Sequence, residues 1–265
     1  MLVTDVVTGG NEGLDVARTL FVFWHGLGDI ILAEPAIRAY RRASGDYVGW
    51  AMLERLKGAG LHECNPHIDQ LHWTADAWND FPSYEVGQQK VMAQAQGIAR
   101  AHGYDRTIVV DHRSSPCHKI LRTAREMGVD LGGDVATDVH YDRARATAEL
   151  RSMSLPRRYV FFHGKTGVRQ KDLPLDKVKE WLAHLRICLP IVSPDFTWDV
   201  SSHRISVAFE AMRRACHIIV ADSVMYHAAH AMGLCVDLAY FARGRDVWEM
   251  VRPLHPCFEN VVFRL

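Results

Sequence analysis

Three short stretches concentrate the residues able to do chemistry. The first, FVFWHGLGDIILAEPAIRAY (21–40), runs an apolar segment into a glycine loop and sets Asp29 where a helical pattern begins. An acid at that point has two uses: it caps the unpaired amides of a first helical turn, or it serves as a catalytic carboxylate. The second, HGKTGVRQKDLP (163–174), follows an apolar run with small residues and the cations Lys165, Arg169 and Lys171, a set that can offset phosphate charge. The third, ADSVMYHAAHAMG (221–233), puts Asp222 and Ser223 between a strand-like run and a helix-like one, where free helix amides suit an anion. The same two residues would serve equally as caps, and His227 as a buried polar side chain.

The familiar phosphate motifs are incomplete. Gly26 and Gly28 begin a GxG, but the dinucleotide fingerprint needs a third glycine where Ile31 stands. Gly164, Lys165 and Thr166 read as the end of a Walker A loop, whose first glycine would fall on Tyr159. Fifteen histidines form no HExxH and no Cys/His finger spacing, and His227 with His230 lacks a third ligand, so no metal or other cofactor is expected.

These stretches depend on elements that place them. TLFVFW (19–24) is a continuous apolar run of the kind found in strands covered on both faces, followed by a helical recurrence of Ile30, Ala33, Ala36, Ile37 and Tyr40. Pro35 implies a late helix start or a kink near its beginning. YVGWAML (47–53), IDQLHW (68–73) and RTIVVD (106–111) read as further strands, separated by a short helix ending in glycine and by an amphipathic segment from Glu85 to about His102. HRSSP and the helix-like CHKILRTAREMG repeat the succession of strand, polar loop and helix seen at Asp29. A charged connector spans about 141–156, after which the pattern restarts with YVFFHG, LDKVKEWLAHL and ICLPIVS, the last made short or peripheral by Pro190. SVAFEAMRRA, HIIVAD, SVMYHAAHAMG and LCVDLAY follow. Alternation of this kind is the mark of α/β architecture with largely parallel sheets, and 265 residues suffice for two such units enclosing a ligand cleft.

Composition removes several classes of function. Apolar residues at 48% and charged residues at 23% are those of a folded globular chain. Acidic and basic side chains balance at 31 each, so no overall charge draws the chain to nucleic acid or to an anionic membrane. Six cysteines lie scattered without a CxxC pair, no secretory segment opens the chain, and no apolar run approaches the roughly 18 to 20 residues of a membrane span. The expected location is cytoplasmic, with contact at the inner membrane surface left open, and the sequence fixes no oligomeric state.

In order along the chain, GLGDIILAEPAIRAYRR, NPHIDQLHW, YDRTIVVDHRSS, YVFFHGKTGVRQKDLP and ADSVMYHAAHAMG resemble the successive motifs of the heptosyltransferase-like glycosyltransferases of family nine. The resemblance covers about residues 20–240 and implies a GT-B fold: two Rossmann-like domains with parallel sheets facing an interdomain cleft. It implies residues 1–155 as the acceptor domain with its connector, and 156–265 as the donor domain. The implied activity is inverting, metal-independent transfer of a sugar from a nucleotide diphosphate sugar to a hydroxyl of a glycan or other acceptor. Asp29 would be the base and Lys171 the cation on the departing diphosphate. His163, Gly164, Lys165, Thr166, Arg169, Asp222, Ser223 and His227 would hold the donor, and Gly28, His112, Arg113 and Ser114 the acceptor. One departure stands inside the last motif, where Val224 replaces the usual glycine. Other readings compatible with the same residues are a transferase whose acceptor is a modified DNA base, a non-catalytic nucleotide-sugar or glycan binding module, and an epimerase-like enzyme converting the donor alone.

Overall fold

A computed structural model describes residues 16–74, 84–111, 117–166, 169–195, 205–254 and 259–263. The chain divides into two compact units, Met1–Gly58 with His62–Val135 and Ala59–Leu61 with Ala136–Leu265. The division falls ahead of the 155/156 boundary expected from the sequence, and the charged connector groups with the second unit.

The first unit contains β1 (Arg18–Phe23), α1 (Leu27–Ser44), β2 (Tyr47–Leu53), β3 (Gln70–Thr74), α2 (Tyr84–His102), β4 (Arg106–Val110) and α3 (Lys119–Met127). Its four strands are all parallel, in the order β3-β2-β1-β4. Alternation along β1 explains its unbroken apolar run. Phe21 and Phe23 face a core with Trp50, Ile30, Ile37, Ala124 and Met127, whereas Leu20, Val22 and Trp24 face Ala51, Val91 and Ala95. Each of the larger aliphatic and phenylalanine side chains among these, fully buried, contributes about 1.5–3 kcal/mol. Helix α1 begins ahead of Pro35 and runs through it, so the late start does not occur. It stops at Gly45, whose positive φ of 68° lets its amide return to the Arg41 carbonyl. Glu34, fully buried, is held by Arg38, whose other nitrogen reaches Asp134 at 3.0 Å, and this ties α1 to the end of the unit.

A buried histidine gives this unit an acid limit. His72 is 7% exposed, its Nε2 lies 2.7 Å from the Tyr104 hydroxyl, and the His102 ring packs edge-on against it. Burial, then repulsion from His102 and Arg18, holds its pKa down at about 4 from an ordinary 6.5. Above pH 6.5 both folded and unfolded chains leave this ring neutral. Below it the unfolded chain takes up the proton first, so stability falls between pH 6.5 and 4, by roughly 3 kcal/mol in all. Urea unfolding at pH 7 and pH 4 should show that loss in the native chain and a clearly smaller one in His72→Gln. Equal losses in the two proteins would show that His72 is not the source.

The second unit contains α4 (Arg143–Ser152), β5 (Val160–His163), α5 (Leu175–His184), β6 (Ile191–Val192), α6 (Ile205–Arg214), β7 (His217–Ala221), α7 (Val224–Ala231), β8 (Val236–Phe241), α8 (Arg245–Val251) and β9 (Glu259–Phe263). The sheet is again parallel, in the order β6-β5-β7-β8-β9. The strand containing the Pro190 interruption is reduced to two residues at the sheet edge, as a missing ladder amide requires. Helix α4 docks on α6 through one buried acid. Glu210, 2% exposed, accepts from the Tyr141 hydroxyl at 2.7 Å, from Arg143 at 3.1 Å and from Thr147 at 3.3 Å. Among the described residues no helix is long and apolar enough to cross a membrane.

Candidate active site

In each sheet one strand is the point where chain direction across the sheet reverses. Strand β1 has its successor β2 on one side and the later β4 on the other, and β5 stands likewise between β6 and β7. At such a strand the loops from the two neighbours diverge beyond the carboxyl ends and leave a crevice, the usual ligand site of open α/β sheets. The first reversal brings together the starts of α1 and α3, the helices that follow β1 and β4, which carry Asp29 and Lys119. The second brings together the loops after β5 and β7, which carry Lys171 and Asp222.

At the first edge, the N-cap of α1 is Gly26, with no side-chain capping bond, and Asp29 falls inside the first turn. The Asp29 carboxylate pairs with the Lys119 ammonium, each side chain about one fifth exposed. Lys119 is presented by the start of α3, where His118 accepts from the Ile120 amide as cap. At the ends of the same two strands, β1 and β4, His25 Nε2 lies 3.7 Å from Asp111 Oδ1, and the Asp111 amide donates to Glu126. Gly28 sits in the same helical turn as Asp29. His112, Arg113 and Ser114, the other expected acceptor residues, lie outside the described residues.

At the second edge, Asp222 is buried at the end of β7, with Oδ2 2.9 Å from Lys171 Nζ and 3.3 Å from Arg243 Nη2. Burial pushes this carboxyl up, but Lys171, with His227 and Arg243 behind it, outweighs burial and holds it below the ordinary carboxylate value. Asp222 is therefore ionised at neutral pH and does not act as a cap. Ser223 does, accepting from the Met225 amide at 3.3 Å, and its Oγ also lies 3.1 Å from His163 Nδ1. His163 is itself pushed down by burial, partly offset by Asp195 and Asp172, and so stays neutral at pH 7. His227 is buried in α7, and Val224 opens that helix without preventing it.

The loop after β5 is already satisfied from within. Gly164 has no room for a side chain, because a Cβ would collide with the Phe162 ring and the Leu173 carbonyl. Its amide and that of Lys165 donate to Asp195 Oδ2 at 2.6 and 3.0 Å, and the Thr166 amide donates to Asp172 at 2.7 Å. Lys165 is turned toward the Asp195 carbonyl at 3.4 Å, and Arg169 lies in the 3-10 turn Arg169–Lys171. A phosphate would reach these amides only by displacing two carboxylates. The side chains left facing an anion are Lys171 and Arg243, next to the positive end of the α7 dipole.

Sequence reading therefore missed three participants. Lys119 stands at the head of CHKILR, after the second polar loop, where the repeat of the Asp29 pattern was itself the available signal. Arg243 stands three residues after the strand LCVDLAY, a position at a carboxyl edge once that strand is recognised. Asp195 follows ICLPIVS in the same way. Among the described residues no group of three or more His, Cys, Asp or Glu side chains comes together in a way that could hold a metal.

No family model matches this sequence, and no curated protein does. Solved structures do resemble it. A glycosyl transferase of family 9 from Veillonella parvula DSM 2008 superposes with a TM-score of 0.62 at 16% identity, over 95% of this chain and 87% of its own. The ADP-heptose LPS heptosyltransferase II of E. coli gives 0.59 at 11% identity, over 92% and 90%. The iron-containing dodecameric glycosyltransferase TibC from enterotoxigenic E. coli H10407 gives 0.54 at 16% identity, over 86% of this chain and 59% of its own. The chain thus has the fold of the GT-B glycosyltransferases of family nine, with the two parallel sheets expected of it.

Proposed function

We propose that this protein is an inverting glycosyltransferase that moves a sugar from a nucleotide diphosphate sugar to an acceptor hydroxyl, without a metal. One observation carries the reading. At the reversal point of each sheet stands a carboxylate held by a lysine from the neighbouring loop, Asp29 with Lys119 and Asp222 with Lys171. The fold shared with solved glycosyltransferases supports it.

The two carboxylates suit different tasks. Asp29 keeps a fifth of its side chain in solvent, so an acceptor hydroxyl can approach it. Asp222 is nearly closed off, and serves by orienting Lys171 and by accepting from sugar hydroxyls. As Asp29 takes the acceptor proton, the acceptor oxygen forms a bond to the anomeric carbon on the face opposite the diphosphate. The bond from that carbon to the phosphate oxygen breaks, and its electron pair leaves with the diphosphate. Lys171 and the amino end of α7 offset the charge that develops there. One displacement inverts the anomeric centre.

Thermal unfolding against a panel of nucleotide diphosphate sugars tests the reading, because a specific ligand raises the midpoint with the logarithm of its saturation. ADP-heptose is the first member, since one neighbour in fold is named for it. Release of free nucleoside diphosphate in the presence of acceptor then reports transfer, and should continue undiminished with EDTA. Loss of activity in EDTA, restored by iron, magnesium or manganese, would transfer the diphosphate's charge compensation from Lys171 to a metal.

A further inference from the structure

The segments that follow three neighbouring strands of the second sheet supply a cation, a carboxylate and a cation. Lys171 lies in the 3-10 turn after β5, Asp222 directly follows β7 and Arg243 follows β8, and both cations converge on the same oxygen, Asp222 Oδ2. One negative charge is thus opposed by two positive ones, and neither cation pairs with another carboxylate among the described residues. Neutralising Asp222 needs only the first. Lys171 is 15% exposed and lies at 2.9 Å, whereas Arg243 is 48% exposed and lies at 3.3 Å. A half-exposed arginine adds little to the stability of a carboxylate already paired. What it does add is a surplus positive charge on the solvent side, next to a helix amino end whose own dipole has the same sign.

Building on the transferase reading, we infer that Arg243 is a diphosphate-binding residue: its guanidinium turns from Asp222 to grip the terminal phosphate of a nucleoside diphosphate, opposite Lys171. A guanidinium matches phosphate geometry with two parallel donors, which an ammonium cannot do. The loop amides after β5 are taken by Asp195 and Asp172, so a second cation is what this edge has left to offer a doubly charged group. Asp222 keeps its charge compensation throughout, because Lys171 remains against it.

Calorimetric titration of the full chain with ADP, GDP, UDP and CDP, and with the four matching monophosphates, tests this on the native protein, Arg243→Ala and Arg243→Lys. For the diphosphate that binds the native chain, Arg243→Ala should weaken binding about 10- to 100-fold, the worth of a charge-assisted phosphate contact, and the monophosphate less than about threefold. Arg243→Lys should recover only part of the loss. Thermal midpoints of both variants should stay near the native value, since the side chain is half exposed. Unchanged diphosphate affinity, or an equal loss for mono- and diphosphate, would overturn the assignment and leave Arg243 as a neighbour of Asp222 alone. Failure of the native chain to bind any of the four diphosphates would overturn the transferase reading itself, and this inference with it.

Discussion

Asp29→Asn should lower turnover about 100- to 10,000-fold while leaving the affinity for the donor nearly unchanged. The substitution keeps the size and shape of the side chain and removes its ability to take a proton. Its structural cost is small on two counts. Asp29 is not the N-cap of α1, a place held by Gly26. Its ion pair with Lys119 is partly solvated, and such pairs are worth about 0–1 kcal/mol. If Asp29 merely favours the amino end of α1 through its charge, the variant should lose a few tenths of a kcal/mol and little turnover. Near-native turnover with the true acceptor would therefore assign the base elsewhere, with His25 and Asp111, which follow β1 and β4, the next groups to examine. Lys119→Met offers a control. It removes the ammonium without touching the carboxylate, so turnover should fall less than in Asp29→Asn.

The elements that carry this chemistry were legible because each is a continuous pattern. The cores of runs such as TLFVFW and HIIVAD, Leu20–Trp24 and Ile218–Ala221, are buried on both faces and had to be apolar, and the glycines at 26, 45 and 128 mark where helices start or stop. The short edge strand was legible from Pro190 alone. What escaped was set by tertiary context. Helix α8 is short and flanked by arginines, and β9 is an edge strand whose Val262 stays partly exposed, so neither shows a strong period. Lys119, at the first position of α3, and Arg243, in the turn after β8, are single charges, indistinguishable in one sequence from solvated surface residues. Their role appears only when strand order places the loop after β4 beside that after β1, and the loop after β8 beside that after β7. The amides of Gly164, Lys165 and Thr166 illustrate the converse. Small residues after a strand suggested free donors, but Asp195 and Asp172, distant or unremarked in the sequence, already occupy them.

Lys171→Ala should weaken donor binding about 10- to 100-fold and reduce turnover by a further factor of about 10 to 1,000, because its charge meets the diphosphate before the reaction and more strongly as the leaving group forms. The same change removes the nearest cation from a buried carboxylate. Breaking a buried pair outright costs about 3–5 kcal/mol, but Arg243 stays within 3.3 Å of Asp222, so a smaller loss of about 1–3 kcal/mol is expected. Catalytic and structural losses are then entangled in the single variant, and the double variant Lys171→Met with Asp222→Asn separates them. With both charges gone no carboxylate is left uncompensated, so the thermal midpoint should return most of the way to the native value. Turnover should not return, since no ammonium remains to meet the diphosphate. A double variant that regains stability and turnover together would show that Lys171 serves only to neutralise Asp222. One that regains stability alone places the lysine's charge on the leaving group.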